Sequence, residues 1–162
     1  MEYFKDKRTT LDCFKAYDIR GELGVNFDVA VAYRIGRAVA QHFQARNIVI
    51  GFDARETSPE LATATIRGIC DAGSNVMLIG LAGTEEMYWA VTEFNACAGI
   101  QITASHNPIN YNGLKIVKSE SQPLDDQEDF QVIKALAESK TWVESLSEGS
   151  IEDISTEARK KY

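Results

Sequence analysis

The sequence predicts an α/β fold: a three-layer αβα domain around a mostly parallel, mixed sheet of about four strands. Three observations carry this expectation. Short apolar runs rich in Val and Ile, at residues 48–52 and 76–79, alternate with stretches whose apolar residues recur at helical spacing. Turn formers such as Gly73, Gly80 and Gly83 punctuate the alternation. The apolar run at 114–117 follows the one at 98–102 across a tight polar loop with Asn110, Asn112 and Gly113, which leaves no room for a crossover helix. That last strand is therefore antiparallel to its neighbour, and the sheet is mixed.

In chain order, residues 13–17 read as the first strand. Asn26 is placed to cap a helix on which Ala32, Ile35, Val39 and Phe43 form one apolar stripe. The β-branched run 48–52 is the second strand. Ser58 and Pro59 supply an N-cap and an N1 proline for a helix buried through Leu61, Ile66 and Ile69, and Gly73 falls where a C′ glycine ends it. Residues 76–79 form the third strand, followed by a Gly-Leu-Ala-Gly-Thr turn and a helix through Met87 and Val91. The strand at 98–102 leads to Ser105. Beyond Lys118, residues 119–123 read as a loop and 125–140 as a surface helix held by Phe130, Ile133 and Leu136. Asp125, Asp126, Glu128 and Asp129 complement the dipole of that helix rather than form a metal cluster. Residues 145–162 carry few large apolar side chains and are expected to pack lightly. The whole is read as a single domain over 1–162, with an α/β core at about 10–140 and a C-terminal tail at 141–162.

Bulk composition narrows the function. With 162 residues, 44% apolar and 25% charged, the chain can bury a core without disulfides or metal. Cys13, Cys70 and Cys97 are odd in number and lack metal-ligand spacing, which fits packed thiols in a reducing cytoplasm. The N-terminal residues 1–6 are charged, with no apolar leader segment, and no run approaches a membrane span, so neither secretion nor insertion is expected. A formal charge of −7 argues against nucleic acid as the main partner. It leaves room for a small anionic substrate, which needs only a few cations focused in one cleft.

The informative stretch is Thr103-Ala104-Ser105-His106-Asn107-Pro108, which places a serine in a loop at the carboxyl end of a strand, where α/β proteins concentrate their chemistry. A turn serine that caps backbone groups is the simplest reading of that position alone. A serine-hydrolase reading fails because adjacent extended residues point apart, so His106 is badly placed to deprotonate Ser105, and the flanking glycines of a nucleophile elbow are missing. No Gly-x-x-x-x-Gly-Lys phosphate cradle exists. The Gly80–Gly83 turn is followed by Glu85 and Glu86, which repel an anion. His42 reads as a partly exposed helix residue.

The hexapeptide resembles the phosphoserine loop of the α-D-phosphohexomutases, the phosphomannomutase and phosphoglucomutase family. Lys15-Ala16-Tyr17-Asp18-Ile19-Arg20-Gly21 is similar to that family's N-terminal active-site signature. Gly51-Phe52-Asp53-Ala54-Arg55 resembles its second strand and following turn, and Asn112-Gly113-Leu114-Lys115 resembles the segment after the phosphoserine loop. Thr84-Glu85-Glu86 looks like the bacterial phosphomannomutase branch. The matches run in family order over residues 13–118 and correspond to domain I of a four-domain enzyme.

The resemblance implies an isomerase that interconverts hexose 6-phosphate and hexose 1-phosphate by intramolecular phosphotransfer. Ser105 carries the phosphate, Mg²⁺ touches that phosphate, and hexose 1,6-bisphosphate is both intermediate and activator. Arg20 neutralises charge on the transferring group, and Lys115 is the candidate general acid/base, a role that requires its pKa to fall from the usual ~10.4. Tyr17, His106 and Asn107 contact substrate. Taken singly, Arg20 reads equally as a partner of Asp18, and Asp53 with Arg55 as an ordinary turn salt bridge. The family's Asp-Gly-Asp-x-Asp-Arg metal loop and its sugar- and phosphate-binding domains have no counterpart here. The expected partners are therefore a hexose phosphate and the remaining domains of a parent enzyme, without which the chain is inactive. The competing reading is a non-catalytic domain that binds a phosphorylated ligand or a partner through the same loop. Nothing in the chain chooses between mannose and glucose.

Overall fold

A computed structural model describes residues 3–162. Met1 and Glu2, which open the charged N-terminus, lie outside the described residues. The elements are β1 (Ile19–Glu22), α1 (Val29–Phe43), β2 (Asn47–Phe52), α2 (Ser58–Asp71), β3 (Asn75–Leu81), α3 (Thr84–Glu93), β4 (Ala98–Ile102), β5 (Tyr111–Lys118), β6 (Gln122–Pro123), α4 (Gln131–Ser139), β7 (Ile151–Asp153) and α5 (Ser155–Lys161). They build a seven-stranded sheet of order β1-β5-β4-β2-β3-β7, with β6 attached to β5. β4, β2, β3 and β7 run parallel, while β5 is antiparallel to β4, β1 and β6. Only β5 is therefore reversed, so the sheet is mixed and mostly parallel as expected, with seven strands rather than about four.

Alternation along the strands sorts the helices into two layers. Ile48 and Ile50 of β2, Ile100 and Ile102 of β4 and Leu114 of β5 pack in one core with Ile35 and Val39 of α1, Ile69 of α2 and Ile133 of α4. Val49 and Val117 face the other way, into a smaller core with Met87 and Val91 of α3 and Ala158 of α5. Two glycines bring α1 and α2 into backbone contact. A methyl group at Gly36 would lie 2.3 Å from Thr65 O, and one at Gly68 would lie 2.1 Å from Tyr33 O.

Four local expectations are corrected. Residues 13–17 are not a strand. Arg20 N–H donates to Cys13 O at 2.8 Å and Lys15 N–H to Asp18 O at 2.9 Å, so the run is one arm and the tip of a chain reversal, and only Phe14 bridges to Ile19. The α1 cap is Asp28, which accepts from Val31 N–H at 3.1 Å, because the Asn26 carbonyl is committed to Glu22 N–H at 2.7 Å. Thr57 rather than Ser58 occupies the cap of α2, and the Ser58 hydroxyl turns instead to Asp53 Oδ1 at 2.5 Å. The C-terminal segment adds β7 beside β3, with Val76 N–H bonding Ser150 O at 2.8 Å and Ile154 N–H bonding Leu78 O at 2.9 Å. Ile154 and Ala158 are buried there.

The acidic stretch before α4 does more than complement a dipole. Asp125 caps it by accepting from Glu128 N–H at 2.7 Å, and residues Asp126–Phe130 form one π-helical turn. Asp129 is buried between His42 Nε2 at 2.9 Å and Lys118 Nζ at 3.1 Å. Burial pushes its carboxyl up, but the bonds from His42, from Asp125 N–H and from Lys118 outweigh it and hold the group below the usual carboxylate value. The cysteines are free, and burial raises the Cys13 thiol to about 12, which makes it inert.

Arg34 ties the N-terminus to the helical layer. Its side chain is 1% exposed, and it donates to Asp6 Oδ2 at 2.6 Å, Arg8 O at 2.8 Å, Ala137 O at 2.9 Å and Glu138 O at 3.0 Å. Among the described residues no helix is long and apolar enough to cross a membrane.

Candidate active site

Ser105 sits just past the carboxyl end of β4. The strand's last residue is buried, its carbonyl accepts from Asp53 N–H at 3.0 Å, and Thr103 N–H reaches Gly113 O at 2.9 Å, so the loop leaves from a fixed base. Ala104 is fully buried, which forces the next residues outward. Ser105 and His106 are exposed. The Ser105 backbone has φ +54°, a left-handed conformation that costs a non-glycine residue roughly 1–3 kcal/mol unless its surroundings enforce it. Its N–H donates to Thr103 Oγ1 at 3.0 Å, and Asn107 folds back on Ala104 O through its N–H at 3.1 Å and its Nδ2 at 2.8 Å. The Ser105 hydroxyl makes no hydrogen bond among the described residues. Its oxygen is free for an external group.

The loop after β2 supports this one. Arg55 Nη2 donates to Ser105 O at 3.2 Å and to Asn107 O, and Nη1 donates to Pro108 O at 2.7 Å and Tyr111 O at 3.1 Å. The Asp53–Arg55 ion pair anticipated from the turn is present but long, at 3.8 Å, and is secondary to those carbonyl contacts. Asp53 Oδ1 accepts from Arg55 N–H at 3.1 Å and from the Ser58 hydroxyl. Asn112 Nδ2 reaches Ser58 Oγ at 3.0 Å and Thr57 Oγ1 at 2.9 Å, which joins the start of α2 to the exit of the serine loop.

Arg20 and Lys115 come from β1 and β5. The register pairs Arg20 with Gly113 and Gln101 with Lys115, so both cations project from the sheet face that carries α3, opposite Ile19 and Leu114. Arg20 Nε lies 3.1 Å from Asp18 Oδ1 with 41% of its side chain exposed, as the local reading allowed. Tyr17 is 94% exposed at the tip of the chain reversal.

Two separate concavities result. Tyr17, Asp18 and Lys115 line one of about 260 Å³ with Tyr88, Leu124 and Phe130. Ser105 and Asn107 line an open cleft of about 720 Å³ with Asp53, Arg55, Glu56 and Ile109. Arg20 and His106 line neither. The structure thus brings Ser105 to Asn107 and Tyr17 to Lys115 but does not close all six predicted residues around one cavity. From the sequence, Arg55 reads only as half of a turn salt bridge and Asn112 only as a turn former, whereas Arg55 holds the loop carbonyls and Asn112 lies in β5 and bonds Thr57 and Ser58. The Asp-x-Arg spacing after a strand was visible, but the carbonyls it serves lie some fifty positions further on.

The exposed serine thus stands at the carboxyl edge of a mixed sheet in an αβα domain, the place where open α/β sheets put their ligand sites. The chain belongs to the phosphoglucomutase/phosphomannomutase family as its alpha/beta/alpha domain I, which it matches over residues 12–142. It is 46% identical over 149 residues to a phosphomannomutase of Klebsiella pneumoniae, covering 91% of this chain and 95% of that relative. It is equally identical over 149 residues to a phosphomannomutase of Escherichia coli, covering 91% of this chain but 33% of the relative. Among solved structures, a phosphoglucomutase/phosphomannomutase family protein from Burkholderia thailandensis superposes with a TM-score of 0.79 at 31% identity, over 89% of this chain and 33% of that one. The chain therefore spans about a third of the Escherichia coli and Burkholderia proteins.

Proposed function

We propose that this chain is the phosphoserine-bearing domain of a cytoplasmic phosphomannomutase or phosphoglucomutase, with Ser105 as the phosphoryl carrier. The observation that carries this reading is the exposed Ser105 hydroxyl, with no hydrogen-bond partner among the described residues, on a loop whose backbone is tied at Ser105, Asn107 and Pro108.

In the forward half-reaction the Oγ–P bond of phosphorylated Ser105 breaks as a hexose monophosphate hydroxyl oxygen attacks phosphorus. The hydroxyl proton passes by way of Lys115 to the departing Ser105 Oγ, and the product is a hexose 1,6-bisphosphate with a free Ser105 hydroxyl. The bisphosphate reorients, its other phosphoryl group is transferred to Ser105 Oγ, and the Ser105 proton passes by way of Lys115 to the departing sugar oxygen. Arg20 offers a planar guanidinium to the charge spread over the transferring oxygens. Tyr17, His106 and Asn107 are the residues proposed to contact substrate, Tyr17 and Asn107 from the two concavities and His106 from the exposed loop. Added hexose 1,6-bisphosphate acts as activator by charging Ser105.

The Mg²⁺ that the resemblance implies does not find a complete site in this chain. Among the described residues no group of three or more His, Cys, Asp or Glu converges, and of the two carboxylates that line the Ser105 cleft, Asp53 and Glu56, Asp53 is engaged by Ser58 and the Arg55 backbone. A phosphate on Ser105 would give one oxygen ligand where such an ion takes about six. The other ligands, like the rest of the sugar and phosphate contacts, fall to the further domains with which this chain is proposed to act.

Phosphopeptide mapping after incubation of the complete reading frame with labelled hexose 1,6-bisphosphate tests the reading. The label is expected on the peptide that contains Ser105. Label on another residue would overturn the assignment, and binding of the bisphosphate without any covalent label would favour a non-catalytic phospho-ligand domain.

A further inference from the structure

We propose that Arg55 is the positioning residue of the Ser105 loop, a guanidinium clamp whose bonds to four backbone carbonyls hold Ser105 Oγ toward the cleft. The inference rests on the reading of Ser105 as phosphoryl carrier and adds a residue for which the sequence suggested only a turn salt bridge.

The carbonyls of Ser105 and Asn107 accept from no donor other than Arg55 among the described residues. Pro108 O is shared with Tyr111 N–H at 3.0 Å, and Tyr111 O lies at the loop's exit. One side chain therefore spans the loop from the serine itself to the first residue of β5. A planar fork with five donors can do this, and each bond is strengthened by the positive charge. A lysine ammonium is a single point with three donors, so it cannot reach both ends of the span at once.

The clamp is itself held from below. The Arg55 N–H bonds Asp53 Oδ1, Asp53 N–H bonds Ile102 O, and Asp53 also receives the Ser58 hydroxyl that Asn112 contacts. Loop entry, clamp and loop exit thus close into one network, and the Arg55 side chain is only 16% exposed within it. This enforcement explains how Ser105 keeps φ +54° without glycine. A serine that must present its oxygen in line with a phosphoryl group gains from such fixing, because misplacement of the reacting atom by about 1 Å costs on the order of 10²-fold in rate.

Amide hydrogen exchange on the full chain gives a direct test, because two reporter bonds do not involve Arg55: Ser105 N–H to Thr103 Oγ1 and Asn107 N–H to Ala104 O. In Arg55→Ala both amides should exchange at least ~10-fold faster, while those of β2 and β4 keep their protection. Arg55→Lys should behave nearly like Arg55→Ala, and added guanidinium ion should restore part of the protection to Arg55→Ala. In the complete reading frame, Arg55→Ala should slow labelling of Ser105, with kcat falling and KM nearly unchanged. Unaltered exchange at Ser105 and Asn107 would overturn the clamp. So would uniform loss of protection across the sheet, which marks a general structural role, or a loosened loop that still labels at the native rate. If wild-type Ser105 takes no label, the phosphoryl-carrier reading fails, and the clamp is then judged on the exchange data alone.

Discussion

Ser105→Ala is expected to remove essentially all mutase turnover from the complete enzyme while leaving the fold as stable as before. The two halves of this expectation have separate causes. The hydroxyl is exposed and makes no hydrogen bond among the described residues, so its deletion takes nothing from a core or a cap, and a surface change of this kind stays within about 0.5 kcal/mol. The bonds that shape the loop are made by the backbone of Ser105, by Asn107 and by Arg55, and none uses Oγ. The loop should therefore keep its conformation around an alanine. Catalysis, by contrast, loses the atom that forms and breaks the bond to phosphorus, and no neighbouring residue stands in for it. His106 is one position away but exposed, and it lines neither concavity. A coupled assay with hexose 1,6-bisphosphate present, paired with a thermal melt of the same sample, measures both halves. Turnover near the native rate would rule out the phosphoenzyme route. A large fall in melting temperature would mean that the hydroxyl is structural.

The parts of this molecule that were legible in the sequence are those with local causes. β2, β4 and β5 announced themselves through β-branched runs bounded by polar turns, and the reversal of β5 followed from the length of the loop before it. α1 and α2 were legible in the spacing of Ile35 and Val39 and of Leu61 and Ile69, all buried as expected. What escaped was set by partners distant in the chain. β7 is three residues, Ile-Glu-Asp, with no periodicity to read, and exists because β3 offers an open edge. Residues 13–17 look like a strand, but the turn that reverses them is decided by Cys13 and Arg20 bonding across it. The same rule governs the site. Ser105, Asn107, Tyr17 and Lys115 were named from motifs, and the structure puts Ser105 and Asn107 in one cleft and Tyr17 and Lys115 in another. Arg55 was read against its near neighbour Asp53, and its carbonyl partners emerge only when β2 and β4 lie side by side.

Arg34 is the strongest case of that kind, and Arg34→Met is expected to cost stability by about 3–5 kcal/mol, the range for removing one partner of a buried ion pair. On α1 it lies beside Ile35, and a sequence reader assigns an arginine there to solvent. In the fold it is enclosed, and its guanidinium satisfies Asp6 together with the carbonyls of Arg8, Ala137 and Glu138. Methionine of similar length fills much of the space, so the loss is chiefly one of hydrogen bonds and charge rather than of volume. Three carbonyls and one carboxylate are then left in a place that water reaches poorly. The pH dependence gives the independent check. Burial pushes the Asp6 carboxyl up, but hydrogen bonds and charges from Arg8 and Arg34 outweigh it and hold the group below its ordinary 3.8. A carboxyl lowered by folding contributes stability above the unfolded-state value, and that contribution disappears as pH falls through the folded-state value. The native chain should therefore lose stability as pH drops below about 4, the unfolded-state carboxylate range. Arg34→Met, which has lost the part of that contribution supplied by Arg34 while Arg8 keeps the rest, should lose less over the same interval. The gap between the two urea midpoints should be widest near neutrality and narrow in acid. An unchanged midpoint at neutral pH would show that Arg8 alone satisfies Asp6. A gap that stays constant into acid would mean that Arg34 acts through its carbonyl contacts and not through the carboxylate.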